Sequence, residues 1–216
     1  MLIEPHARVL FQGDSITDCD RNRNDDNNLG SGYPAMIAAW LSALYPCRNI
    51  TFLNRGISGH RVKDLLARWK TDCLDLQPTW VSILIGINDV WRRYDCNDPT
   101  SLQDFVAGYR ELLRQIRAAT KAHIILCEPF LLPVHPTLDR WREDLDPKIG
   151  AVRALAREFH TYYVPLDGLF AAASARREPA FWAADGVHPT PAGHALIAQA
   201  WLRTIQAHFC LPAHPH

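Results

Sequence analysis

Four short blocks of the sequence carry groups that together could perform acyl transfer. Ser15, in a Gly-Asp-Ser turn, offers a hydroxyl nucleophile, and Asp185 lies three residues before His188, close enough for a carboxylate to orient and charge-stabilise an imidazole base. Gly59 would expose its backbone N–H at a helix N-terminus, where an anion is favoured. Asn88 would add an uncharged amide donor at the end of an apolar strand. A nucleophile, a base, its orienter and an anion cage make up a complete acyl-transfer site.

Each block also has an ordinary structural interpretation. A Gly-Asp-Ser turn is often a helix cap, the Gly59 block fits a tight turn between a strand and a helix, and Asn88 could form an Asx turn. A lone pair such as Asp185 and His188 is usually a surface hydrogen bond. The catalytic interpretation is favoured because the four blocks follow separate strands and supply complementary groups.

The elements that must position these blocks alternate between strands and helices. Short, nearly continuous apolar runs predict strands buried on both faces at residues 8–12, 50–54, 80–86, 122–128 and 162–166. Helical spacing of apolar residues predicts helices at residues 33–45, 60–76, 101–119 and 141–160. Thr100 and Gln103 predict a capping box for the third of these helices. Thr190 and Pro191 predict the cap and first turn of a last helix.

This alternation predicts an α/β fold with a parallel, doubly wound sheet. Two irregular segments, residues 18–32 and 129–147, each follow a predicted strand and should lie at the carboxyl edge of the sheet. In open α/β sheets, ligands bind in the crevice at that edge. The sequence shows no change of composition, repeat or Gly/Ser linker, so we expect residues 1–216 to form one domain.

The four blocks, in this order, resemble the GDSL or SGNH hydrolase family, whose signature serine, glycine, asparagine and histidine match Ser15, Gly59, Asn88 and His188. The resemblance spans nearly the whole chain. It implies a flavodoxin-like, three-layer α/β/α sandwich with a five-stranded parallel sheet. It also implies a triad of Ser15, Asp185 and His188, and an oxyanion hole made of the Ser15 and Gly59 amides and the Asn88 side chain.

Further residues resemble the bacterial acetylxylan esterase subgroup, which removes acetyl groups from xylo-oligosaccharides. These are Asp18 with Cys19, the block at residues 54–59 and the run at residues 86–92. The expected substrate is therefore a small acylated carbohydrate. Alternatives are a thioesterase or lysophospholipase of the same family, or a catalytically silent carbohydrate-binding relative.

Three aromatic residues near the predicted site could stack on a sugar ring: Trp91, Tyr94 and Trp182. Core or rim packing is the favoured explanation for each of them. Ser58 is a rival nucleophile, but no Gly-x-Ser-x-Gly elbow surrounds any serine of the chain. The alternating oxygen ligands of residues 18–26 imitate a calcium loop, yet Arg23 replaces its glycine and Leu29 its glutamate. No metal or cofactor is expected.

Composition excludes several other classes of protein. With 48% hydrophobic and 21% charged residues, the 216-residue chain is typical of a folded protein, and its net charge of zero argues against nucleic-acid binding. No apolar run is long enough for a membrane span, and no secretion segment is recognisable, so a cytoplasmic protein is expected. The six cysteines lack metal-site spacing and are predicted to be free thiols. Zero net charge and seven tryptophans would tolerate the self-association common among acetyl esterases of the family.

Overall fold

The protein has a five-stranded, all-parallel β-sheet with the strand order β2-β1-β3-β4-β5. The structure, a computed structural model, describes residues 1–207. The strands are β1 (Arg8–Gly13), β2 (Thr51–Asn54), β3 (Trp80–Leu84), β4 (His123–Cys127) and β5 (Tyr162–Val164). This order is that of flavodoxin-like folds. All five predicted strands are confirmed, although β3 ends at Leu84 and not at Gly86, and β5 ends at Val164, before Leu166 begins α7.

Helices connect the strands and cover both faces of the sheet. Within residues 1–207 the α-helices are α1 (Ser15–Asp18), α2 (Tyr33–Leu44), α3 (Val62–Trp69), α4 (Ile87–Asp95), α5 (Leu102–Ala119), α6 (Arg142–Glu158), α7 (Leu166–Ser174), α8 (Pro179–Trp182) and α9 (Pro191–Thr204). A π-helical turn, Lys70–Leu74, extends α3, and 3-10 turns occupy Pro46–Arg48 and Pro136–Trp141. The predicted helices are confirmed, although α3 begins at Val62, with Arg61 as its N-cap, so Gly59 lies two residues before the cap and not at the helix N-terminus. The helices α1, α4, α7 and α8 were not predicted.

Two helix starts test the predicted caps. Thr190 caps α9 as predicted, because its hydroxyl accepts a hydrogen bond from the Gly193 N–H at 3.3 Å. The capping box predicted for Thr100 and Gln103 is wrong. The helix begins one residue later, and the Ser101 hydroxyl accepts the Asp104 N–H at 3.0 Å while donating to the Asp104 carboxylate at 2.6 Å. Ser101 is therefore the N-cap of α5, one residue after the predicted position.

The core consists of two apolar clusters, one on each face of the sheet, because neighbouring residues of a strand point to opposite faces. Phe11 packs on the face covered by α2 and α9, where its ring lies 5.7 Å from that of Trp201. Leu10 packs on the other face, with Leu65 of α3 and Leu112 of α5. The result is the predicted three-layer α/β/α sandwich.

Two of the remaining expectations concern cysteines and membranes. Cys19, Cys47, Cys73, Cys96 and Cys127 are free thiols, as predicted, and Cys210 lies outside the described residues. No helix within residues 1–207 combines the length and hydropathy that a bilayer crossing requires.

Candidate active site

Ser15, His188 and Asp185 form a continuous hydrogen-bonded chain at the carboxyl edge of the sheet. Ser15 Oγ lies 2.9 Å from His188 Nε2, and His188 Nδ1 lies 2.6 Å from Asp185 Oδ2. β1 ends just before Ser15, which is the first residue of α1, and the turn that holds Asp185 and His188 leads into α9. The structure therefore brings together three side chains separated by up to 173 positions in the sequence.

The turn around Asp185 fixes its carboxylate. Asp185 Oδ1 accepts the N–H groups of Val187 at 2.9 Å and His188 at 2.7 Å, which leaves Oδ2 for the imidazole. Partial burial would raise the pKa of Asp185, but the hydrogen bonds from the His188 ring and from these two N–H groups lower it to about 2. Asp185 is therefore ionised at neutral pH and holds the ring with Nδ1 protonated, so that Nε2 faces the serine.

The pKa of His188 is raised above its usual value of 6.5, chiefly by the hydrogen bond to Asp185. Partial burial acts in the opposite direction, and the charges of Asp185 and Asp14 reinforce the increase. A base with a pKa near the working pH accepts a proton readily and releases it again. The arrangement can thus accept the Ser15 proton and return it to a leaving group.

Three hydrogen-bond donors surround the space beside Ser15. The Ser15 N–H is at the first position of α1 and has no partner within the helix. Gly59 has φ of +82°, a left-handed conformation that favours glycine, and its N–H makes no hydrogen bond within residues 1–207. Asn88, only 3% exposed, donates one side-chain N–H to the His60 carbonyl at 3.1 Å and retains a second. These donors can stabilise a negatively charged oxygen.

Asp14 is a buried carboxyl that the sequence reasoning missed. Its Oδ1 caps α1 by accepting the Ile16 N–H at 3.0 Å, and its Oδ2 has no partner among the described residues. Burial raises the pKa of Asp14 to about 7, against the lowering effects of the Ile16 hydrogen bond and of nearby His188. The Gly-Asp-Ser turn was the available signal, because an aspartate preceding the first helical residue is a preferred N-cap.

A polar cleft opens beside Ser15 with a volume of 600 Å³. It is lined by Ser15, Ile16, Asp18, Cys19, Asp20, Arg21, Arg23, Ser58, His188, Pro189 and His194. Ser58, the rival nucleophile, lies on the cleft wall, where its backbone N–H donates to Asp18 Oδ2 at 3.1 Å. The His188 imidazole forms its hydrogen bond with Ser15. The geometry supports Ser15 as the nucleophile.

The three predicted aromatic residues occupy different surroundings. The Trp91 ring lies 5.8 Å from the His188 ring and 5.4 Å from that of Trp141. The Tyr94 ring stacks on that of Trp141 with 5.2 Å between their centroids, and its hydroxyl donates to the Arg140 carbonyl at 2.8 Å. Trp91 thus lies beside the imidazole, and Tyr94 lies one ring further out.

Trp182 precedes the turn that carries Asp185 and His188 and contacts residues before and after it. Its indole N–H donates to the Arg177 carbonyl at 3.3 Å, and its own carbonyl accepts the Thr190 N–H at 2.9 Å. It therefore joins the two ends of the segment that contains Asp185 and His188. No ring contact joins it to the histidine within residues 1–207.

Comparison with known proteins decides the family. Residues 11–196 match the model of the GDSL-like lipase/acylhydrolase family, and this segment includes Ser15, Gly59, Asn88, Asp185 and His188. The chain belongs to this family. This GDSL-like hydrolase is 39% identical over 212 residues to an acetylxylan esterase from Geobacillus stearothermophilus, with 95% of this chain and 96% of that protein covered. It is a carboxylic ester hydrolase.

Solved structures resemble the GDSL-like hydrolase along nearly its whole length. The crystal structure of the Geobacillus stearothermophilus acetylxylan esterase has a TM-score of 0.92 at 38% identity, covering 99% of this chain and 100% of that one. Variants of that enzyme described as catalytic mutants replace a serine, an aspartate or a histidine by alanine. A protein from Parabacteroides merdae described as a GDSL-like lipase has a TM-score of 0.92 at 34% identity, covering 95% and 98% of the two chains.

Proposed function

We propose that this GDSL-like hydrolase removes acetyl groups from xylo-oligosaccharides through an acyl-enzyme formed on Ser15. The observation that carries the proposal is the chain of two hydrogen bonds, 2.9 and 2.6 Å long, from Ser15 through His188 to Asp185. It lies beside three donors and opens into a polar cleft. Serine hydrolases on unrelated folds use the same set of groups.

In the first half of the reaction, Ser15 Oγ attacks the ester carbonyl carbon and its proton passes to His188 Nε2. Ionised Asp185 stabilises the resulting imidazolium. The carbonyl oxygen becomes an oxyanion that accepts hydrogen bonds from the Ser15 and Gly59 N–H groups and from the free N–H of Asn88. The tetrahedral intermediate then collapses, the C–O bond to the sugar breaks, and His188 gives its proton to the departing sugar oxygen.

In the second half, water replaces the sugar. Neutral His188 takes a proton from the water while the water oxygen attacks the carbonyl carbon of the acyl group on Ser15. The same donors stabilise the second oxyanion. Collapse breaks the bond to Ser15 Oγ, which recovers its proton from His188, and the carboxylic acid leaves. The chain's own residues move every proton in this cycle.

The surroundings of Ser15 support a short acyl group on a polar alcohol. Charged side chains line the cleft, among them Asp18, Asp20 and Arg23. A more apolar cavity of 380 Å³, lined in part by Leu131, Leu132 and Leu138, does not include Ser15 or His188. A thioesterase or lysophospholipase would need an apolar channel at the nucleophile itself. The similarity to acetylxylan esterase agrees with the polar alternative.

Trp91 is our proposed stacking surface for the sugar, because it is the aromatic residue whose ring lies beside His188. Aromatic faces bind the apolar faces of sugar rings, and a xylose unit whose oxygen receives the His188 proton would lie next to this side chain. Tyr94 and Trp182 remain proposed contacts for more distant sugar units. Each would contribute to KM more than to kcat, because neither lies against the reacting groups.

The remaining expectations extend the same proposal. Residues 1–216 are proposed to form one domain, in agreement with relatives that match nearly the full length. A cytoplasmic location is proposed because Cys47 and Cys96 are exposed, free thiols, as is usual in a reducing compartment. The reaction is proposed to need no metal or cofactor. Neither nucleic acid nor a membrane surface is among the proposed partners.

A panel of esters tests the proposal. Acetylated xylo-oligosaccharides and the p-nitrophenyl esters of acetate, butyrate and octanoate should be compared by kcat/KM, with Ser15→Ala as the control. We expect the acetyl esters to be the best substrates and Ser15→Ala to lack activity on all of them. A maximum at octanoate would contradict the acyl preference, and acetate release by Ser15→Ala would contradict the mechanism.

A further inference from the structure

The segment that carries Gly59 lies directly on the helix that carries Ser15. We call residues 54–59 the oxyanion loop. A Cβ atom at Gly56 would be 2.7 Å from the carbonyl carbon of Thr17 and closer still to the Asp18 nitrogen, so no larger residue fits there. The Ile57 N–H also donates to the Gly13 carbonyl at 3.1 Å. The separation between the two proposed backbone donors therefore depends on how this loop is fastened to α1.

Asn54 is the side chain that fastens the loop from inside. It is the last residue of β2 and is fully buried. Its Nδ2 donates to the carbonyls of Thr17 at 2.6 Å and Leu29 at 2.9 Å, and its Oδ1 accepts the Gly56 N–H at 2.8 Å. One amide thus joins the end of α1, the following irregular segment and the oxyanion loop. Both of its N–H groups and its oxygen are used.

A second set of contacts fastens the outer end of the loop. Asp18, the last residue of α1, accepts the Ser58 N–H at 3.1 Å and pairs with the Arg23 guanidinium. Arg21 Nε donates to the Gly56 carbonyl at 2.9 Å. These groups lie nearer the cleft than Asn54 does, and solvent could replace part of them. Fully buried Asn54 has no such substitute, because water cannot reach its partners without opening the loop.

We propose that Asn54 is a positioning residue that sets the distance between Ser15 and the Gly59 N–H. The inference rests on the proposed function, because it requires Gly59 to be an oxyanion donor. Without the Asn54 amide, the Thr17 carbonyl and the Gly56 N–H lose their common partner, and the loop can move away from α1. A displacement of about 1 Å at a reacting group can lower the rate by about 10²-fold. The loss should fall on kcat, because the oxyanion exists only after attack.

The test combines Asn54→Ala and Asn54→Asp with a reversible inhibitor, trifluoroacetophenone, whose adduct with the serine places a negatively charged oxygen among the donors. Asn54→Asp keeps an acceptor for the Gly56 N–H but loses both donors. Ser82→Ala is the matched control, because it removes another buried hydrogen bond, from Trp201 Nε1 at 3.0 Å, on a strand that β1 separates from Asn54. The inhibition constant does not depend on the concentration of active enzyme, so loss of folded protein during preparation leaves it unchanged, whereas a displaced donor raises it.

We expect Asn54→Ala to lower kcat by about 10²-fold with KM changed less than about threefold. Its inhibition constant should rise by a similar factor, while Ser82→Ala keeps both values of the wild type. A folded Asn54→Ala with wild-type kcat and inhibition constant would overturn the proposal. If Asn54→Ala does not fold, the inhibition constant of Asn54→Asp decides, and failure of both to fold would also overturn it.

The same assays separate this inference from the proposed function. If wild type hydrolyses no ester, or if Ser15→Ala remains active, the proposed function is wrong. If wild type is active and Ser15→Ala is not, an unaffected Asn54→Ala refutes only the positioning role.

Discussion

Replacing Asn88 by alanine removes two side-chain hydrogen-bond donors at once. One N–H of its side chain donates to the His60 carbonyl at 3.1 Å, and the other is free to reach an oxyanion. Because Asn88 is only 3% exposed, water cannot take over either role without rearrangement. The two losses can be measured separately, since the first acts on the folded state and the second on the transition state.

The expected magnitudes follow from these two bonds. Loss of one oxyanion donor costs about 3 to 4 kcal/mol of transition-state stabilisation, which lowers kcat by about 10² to 10³-fold. Loss of the bond to His60 should cost about 1 kcal/mol of folding free energy. For a chain of this length, that lowers the melting temperature by about 2 to 4 °C. Steady-state kinetics on p-nitrophenyl acetate and a thermal melt measure both.

Two outcomes would distinguish a catalytic from a structural asparagine. Asn88→Asp should be at least as damaging to kcat as Asn88→Ala, because a carboxylate repels an oxyanion and cannot donate to the His60 carbonyl. The reasoning is refuted if Asn88→Ala keeps more than about a third of the wild-type kcat while its melting temperature falls far more than expected. Asn88 would then be a turn residue.

Three further predictions follow from the site and the composition. His188 can act as a base only when neutral, and its pKa is raised above 6.5, so kcat/KM should fall as the pH drops through that raised pKa. A profile that is flat from about pH 5 to 9 would be inconsistent with a histidine base. Asp185→Asn should lower kcat by about 10⁴-fold, as the same replacement does in serine proteases, and burst kinetics on p-nitrophenyl acetate would show slowed acylation; an unchanged kcat would remove Asp185 from the mechanism. The enzyme should self-associate, and a light-scattering mass near 24.5 kDa at micromolar concentration would refute this.

The sequence was sufficient for the sheet because its strands are buried on both faces and therefore appear as continuous apolar runs. Runs such as 80–84 can be recognised without knowing their neighbours. Short helices gave no such signal. α1 and α8 each span four residues, too few for an apolar stripe to repeat. In α4 the first four residues are all buried, polar ones included, so no apolar stripe marks the helix. Tertiary packing, more than local periodicity, determines these elements.

The candidate site likewise contains groups that the sequence predicts and contacts that it does not. Ser15, Asp185 and His188 could be found because their types and local spacing indicate chemistry. The supporting contacts could not be found, because they join distant positions through backbone groups. Asn54 contacts Thr17, and Asn88 contacts His60, in each case through a carbonyl that carries no residue identity. Sequence patterns predict the proposed reacting groups, whereas the groups that position them require the fold.

Covalent labelling tests the central claim, that Ser15 is the nucleophile, most directly. Wild type, Ser15→Ala and Ser58→Ala should each be treated with a fluorophosphonate, and the adduct should be located by peptide mass spectrometry. We expect stoichiometric labelling of Ser15 in wild type and in Ser58→Ala, with parallel loss of esterase activity, and no labelling of Ser15→Ala. An adduct on Ser58, or complete inactivation without modification of Ser15, would contradict the mechanism.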